Sequence, residues 1–116
     1  MPPRLALLAP DPERREWLAT NCRSSLPDAR IEPARDMVDL MIRVAAGAAD
    51  VVLVDGRAVG VLPEDGATVL KGLHAPVQVV IVDAAAGSPV PHRVDELLDS
   101  TRLGPWLARR FPEGAA

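Results

Sequence analysis

The sequence predicts an α/β domain built on a doubly wound, parallel five-stranded sheet. Three observations predict it. Apolar runs of strand length alternate with helical stretches along the chain, the pattern of repeated β–α units. Two of those runs, Val51 to Val54 and Val77 to Val82, are rich in β-branched residues, as strands covered on both faces require. Both lead into a carboxylate, Asp55 and Asp83, at the strand ends where open α/β sheets gather their chemistry.

Each element follows from its residues. Strand one is Arg4 to Ala9, ended by Pro10. Asp11 is an N-cap, Pro12 takes the favoured first helical position, and Glu13 adds negative charge to the first turn. Helix one runs from about Pro12 to Ser25 with Trp17, Leu18 and Cys22 inward, and Leu26-Pro27-Asp28 stops it. Ala29 to Ala34 is a second strand that Pro33 places at a sheet edge. Asp36 caps a helix reaching about Ala46, in which Met37, Leu40, Met41, Val44 and Ala45 repeat at helical spacing before Gly47. Gly56 to Gly66 is a loop, and Ala67 to Leu73 a short third helix. Ala84 to His92 is again a loop, because Gly87, Pro89 and Pro91 interrupt it. Asp95 to Asp99 begins a helix or forms a short fifth strand. Gly104-Pro105 opens a final helix, Trp106 to Phe111. No repeat or linker divides residues 1–116, so one domain is expected.

Composition narrows the function. With 48% hydrophobic and 25% charged residues the chain is that of a soluble globular protein. A net charge of −3, with one Phe and no Tyr, gives neither the field nor the stacking surface for nucleic acid. Arg14-Arg15 and Arg109-Arg110 are local basic pairs, too small to change that. The apolar stretch after Arg4 is broken at Pro10, too short for a secretory signal or membrane insertion, so a cytoplasmic location is expected. A lone Cys22 allows no intramolecular disulfide and suits a packed small hydrophobe.

Few residues carry a chemical signal. His74 and His92 lack partners at metal-ligand spacing, and Ser24-Ser25 and Ser100-Thr101 lack a nucleophile elbow. No metal, cofactor or enzymatic activity is expected. Asp55 followed by Gly56 reads as a carboxylate satisfied by loop N–H groups, or as a working group. Asp83 beside Asp55 would make a pair of carboxylates, one with a raised pKa. Trp106, with Arg109 and Arg110 on the same helix, is a candidate interface anchor.

The order of four segments resembles the receiver domain of bacterial two-component response regulators, a flavodoxin-like fold. These are Leu7-Leu8-Ala9-Pro10-Asp11-Pro12, the run Asp50 to Gly56 with Gly60, Ala75 to Ala84, and Val94 to Asp99 followed by Leu103-Gly104 and Leu107-Ala108-Arg109. The resemblance covers about Arg4 to Phe111 and makes Asp55 the counterpart of the phosphoacceptor aspartate.

The departures from the family pattern weigh against that chemistry. The resemblance puts Ala9 and Pro10 where the family holds Mg²⁺ with acidic residues, leaving Asp11 in a secondary position. It puts Asp83 where a Ser or Thr hydroxyl bonds the phosphoryl group, and Ser100-Thr101 in place of the strand-five lysine. The only lysine, Lys71, falls in helix three. The family's fourth helix is shortened or absent between Asp83 and Asp95. Phosphoryl transfer depends on positioning and charge neutralisation, so Asp55 would face a phosphoryl group uncompensated. The expectation is a degenerate pseudo-receiver that acts by protein–protein interaction, with a protein partner or as a homodimer. Its surfaces would be the last helix around Trp106, Arg109 and Arg110, and the loops at Asp11, Asp55 and Asp83. The alternatives are a receiver phosphorylated on Asp55 with Asp11 as metal ligand, and a small-molecule sensor opened by the shortened 84–92 segment.

Overall fold

The computed structural model describes residues 2–115. Strands β1 (Arg4–Leu8), β2 (Arg30–Ala34), β3 (Val51–Asp55), β4 (Gln78–Val82) and β5 (Glu96–Leu98) form one parallel sheet in the order β2-β1-β3-β4-β5. Helices α1 (Pro12–Ser25), α2 (Met37–Ala45), α3 (Gly66–Leu73) and α4 (Ser100–Arg110) complete the chain. The predicted parallel five-stranded α/β fold is the observed one.

Alternation along each strand splits the core in two. Leu5, Leu7, Leu53, Val80 and Val82 face α1 and α4, where Leu18, Cys22, Leu103 and Leu107 meet them. Ala6, Leu8, Val52, Val54 and Val79 face α2 and α3, packing on Leu40, Val44, Ala67 and Leu70. β1, β3 and β4 are almost wholly buried, which explains their unbroken apolar runs. Pro33 lies in the edge strand β2, where its missing N–H costs no ladder bond in the sheet interior.

Several local expectations change. Asp95 to Asp99 resolves as the strand β5, whose Leu98 pairs with Val82. The segment 84–92 forms no helix, so no helix joins β4 to β5. The last helix starts at Ser100, not at Gly104-Pro105, because Asp99 caps it by accepting from the Arg102 amide at 3.2 Å. Pro105 therefore lies inside α4, and it frees only the carbonyl of Thr101, an exposed residue that water can serve. Ala45 is exposed, since α2 buries Leu40 and Val44 alone. Trp17 is also not inward: the inner stripe of α1 is Arg14, Leu18, Ala19 and Cys22. That arginine organises the site.

Candidate functional site

β3 and β4 run side by side with Asp55 in register with Val82, so Asp55 and Asp83 come together at the carboxyl ends of the strands. The Asp83 amide donates to the Leu98 carbonyl at 2.8 Å, tying these strand ends to β5. Asp83 has φ 58°, a left-handed conformation that aspartate tolerates better than most residues. Gly56 donates its amide to the Val82 carbonyl at 2.7 Å, and a Cβ there would stand 2.6 Å from the backbone of Ala84. Close approach of these two turns, with no side chain between them, is what calls for glycine.

Arg14 reaches these strand ends from α1. Positions 14, 18 and 22 share one stripe of the helix, so burying Leu18 and Cys22 carries the Arg14 stem inward as well. The residue is 9% exposed and Asp55 only 3%. Arg14 Nε donates to Asp55 Oδ1 at 3.3 Å, and Nη2 donates to Asp83 Oδ2. The indole of Trp17 covers the guanidinium, with Cζ 4.4 Å from the ring centroid, a cation–π arrangement. The Arg57 amide donates to Asp55 Oδ1 at 3.1 Å and the Ser100 amide to Asp83 Oδ1 at 2.8 Å.

Asp83 is not the member of a shared-proton pair whose carboxyl is raised. Burial pushes the Asp83 carboxyl up, but hydrogen bonds from Arg14 and Ser100, with the charge of Arg14, outweigh it. They hold Asp83 below the usual carboxylate value. A cation is already in place between the carboxylates, so the expectation of uncompensated negative charge is also corrected.

The remaining predicted positions separate into two groups. Asp11 is the N-cap of α1: its Oδ1 accepts from the Glu13 amide at 3.2 Å. Ala9 and Pro10 supply no side-chain oxygen. Among the described residues no group of three or more His, Cys, Asp or Glu is arranged to hold a metal ion. Ser100 and Thr101 are not on strand five. β5 ends at Leu98, Asp99 follows, and Ser100-Thr101 form the first turn of α4. Lys71 donates to the Val77 carbonyl at 2.9 Å and to Asp95 at 2.7 Å, at the amino ends of β4 and β5, the opposite end of the strands from Asp55. Arg110 is at that end too, donating to Gln78 and lying over Phe111. Trp106 is half-buried against the α1–α4 core, and Arg109 is exposed. The structure thus joins Asp55 to Asp83 and leaves Trp106, Arg109 and Arg110 at the far end of α4.

The signal for Arg14 was present in the sequence. An arginine stands at helical spacing with Leu18 and Cys22, while aspartates end two buried strands. Weighed only as half of a local basic pair with Arg15, Arg14 shows no such role. A second feature is a cleft of about 420 Å³ beside Asp55, where the segment 84–92 replaces a helix. Its lining includes Val54, Leu62, Ile81, Pro89 and Val90.

No protein-family model matches the chain. No curated protein matches it either. Solved structures do. The response regulator domain of Thermotoga maritima CheB superposes with TM-score 0.72 at 14% identity, covering 98% of this chain and 96% of that one. A candidate pilus assembly-related protein from Burkholderia pseudomallei gives 0.75 at 18% identity, covering 98% and 92%. A candidate pilus assembly protein from Burkholderia thailandensis gives 0.71 at 17%, covering 97% of each chain. At these identities the likeness establishes architecture: the chain has the flavodoxin-like fold of a receiver domain.

Proposed function

We propose that this chain is a receiver-like signalling module that no longer takes phosphate and works by docking another protein. The observation that carries this reading is the Arg14 guanidinium, hydrogen-bonded to both Asp55 and Asp83 at the ends of β3 and β4. An aspartate that attacks a phosphoryl group needs a free oxygen, a metal to neutralise the incoming charge and a donor to hold the transferred group. Here Arg14 and the Arg57 amide fix Asp55 Oδ1 and leave Oδ2 open, but no cluster that could hold a metal lies among the described residues, and Asp83 brings a second negative charge. Arg14 is held by those same carboxylates and is not poised to clamp a phosphoryl group. The arrangement is that of a fixed internal ion cluster, which holds α1 against the ends of β3 and β4 without a chemical event.

Such a module would present one shape continuously to its partner, whether a signalling protein, a scaffold or a second copy. Two of the structures it resembles are candidate pilus assembly proteins, which favours an assembly machine as the setting. Candidate contact surfaces are the loops at Asp11, Asp55 and Asp83, and the exposed end of α4 at Arg109 and Arg110 beside Trp106. The test is intact mass after incubation with acetyl phosphate and Mg²⁺. The protein should remain unmodified, and an adduct abolished by Asp55→Asn would restore the phosphorelay reading.

One observation favours a second reading. The 420 Å³ cleft is within the size range of small-molecule sites and is largely apolar. A sensor would gain thermal stability from its ligand, and screening metabolites by melting temperature would find it.

A further inference from the structure

We infer that Trp17 is the anchor of a docking surface for a basic, apolar protein segment, with Arg14 as its positioning residue. The inference names the partner chemistry for the docking reading above and rests on it.

Three features of the surface carry the inference. Trp17 is a large apolar side chain left 45% exposed in a helix that buries Leu18 and Cys22 completely. It is also held in place. Its ring lies on Arg14, and Arg14 is fixed by Asp55 and Asp83, so much of the rotamer entropy that an exposed tryptophan loses on binding is already lost. Tryptophan is among the residues that most often dominate binding energy at interfaces.

Charge supplies the partner. Glu13 lies one turn before Trp17 on the same face of α1, Thr20 and Asn21 lie one turn after it, and Glu16 flanks it; all but Asn21 are exposed. Asp11 adds a further exposed carboxylate at the helix start. The basic residues of α1 are largely engaged: Arg14 lies buried under the ring and is held by Asp55 and Asp83, Arg15 donates to the Ala9 carbonyl at 2.8 Å, and Arg23 in the last turn stands 3.8 Å from Glu16 and partly offsets it. The exposed carboxylates Asp11, Glu13 and Glu16 outnumber the exposed cations around the indole, so an arginine or lysine of the partner gains from them while its apolar residues pack on the open face of the ring. An acidic segment would be repelled there.

The experiment titrates the full chain with a short synthetic peptide alternating arginine and leucine, followed in ¹H–¹⁵N spectra. A glutamate–leucine peptide and an arginine–serine peptide serve as comparisons. The expected result is saturable movement of the Trp17 indole N–H and the Glu13 and Glu16 amides with arginine–leucine. The glutamate–leucine peptide should give none, and arginine–serine weaker binding. Trp17→Ala should weaken binding about thirtyfold, the lower bound of a hot-spot loss. Trp17→Phe should retain most of it, and Glu13→Gln with Glu16→Gln should weaken it and flatten its salt dependence. Binding that is indifferent to peptide charge, or unaffected by both Trp17 substitutions, overturns the inference. So do shifts confined to Trp106 and the end of α4, although those would leave the docking reading standing. Modification of Asp55 by acetyl phosphate would instead remove the reading beneath it.

Discussion

Arg14 and Asp55, 41 residues apart in sequence, meet in a buried hydrogen bond of 3.3 Å at the carboxyl end of the central strand. The same guanidinium holds Asp83, so a single cation closes a site where the strand ends alone would crowd two negative charges. This cluster links α1 to the ends of β3 and β4.

Removing the cation should be costly. Arg14→Ala leaves two carboxylates without their partner and should destabilise the protein by about 3 kcal/mol in urea unfolding, the usual scale for breaking a buried pair. Arg14→Ala combined with Asp55→Asn and Asp83→Asn should recover part of that loss. If Arg14→Ala is neutral, the cluster is not what holds α1.

Acid should release the cluster. Asp83 titrates below its ordinary value of 3.8 in the folded state, so its contribution to stability is complete above that value. It is lost as the pH falls through the lower folded-state value. Stability measured from neutral pH down should therefore drop more steeply in the wild type than in Asp83→Asn once the pH is below about 4. Parallel curves would show that Asp83 is not stabilised as a carboxylate.

Cys22 should be inert in the native state. Burial pushes its thiol up to about 12, and the side chain has no exposure in the α1–α4 core. Labelling by a maleimide at neutral pH should proceed only through opening of α1, and it should quicken in Arg14→Ala. Fast labelling of the wild type would contradict the packing described.

Gly56 should tolerate no side chain. A Cβ there would stand 2.6 Å from Ala84 backbone atoms, so Gly56→Ala must push the two turns apart. The cost should be about 1–3 kcal/mol in chemical denaturation, as for an overpacked interior. Gly60→Ala has open space around it and carries only the strain of its φ of 78°, so it should cost less.

The fold was legible because its evidence is local and periodic. The β-branched runs of β3 and β4, the Asp11 and Asp36 caps and the edge-marking Pro33 each state their structure within a few residues. The start of α4 was not, because Gly104-Pro105 looks like a helix opening unless Asp99 is seen to cap one already. The site was half legible. Strand ends announce Asp55 and Asp83, but the register that aligns them with Arg14 is a long-range fact. Trp17 was assigned inward for the same reason: apolar character is visible in sequence, whereas the arginine that takes the inward place is bound by residues far along the chain.

The most direct measurement compares amide ¹H–¹⁵N spectra in Mg²⁺ alone and in Mg²⁺ with beryllofluoride, a phosphoryl mimic. With Arg14 closing the site, the resonances of Asp55, Gly56 and Asp83 should stay where they are. Saturable shifts centred on those residues, lost in Asp55→Asn, would show that Asp55 still accepts a phosphoryl group and would contradict the account.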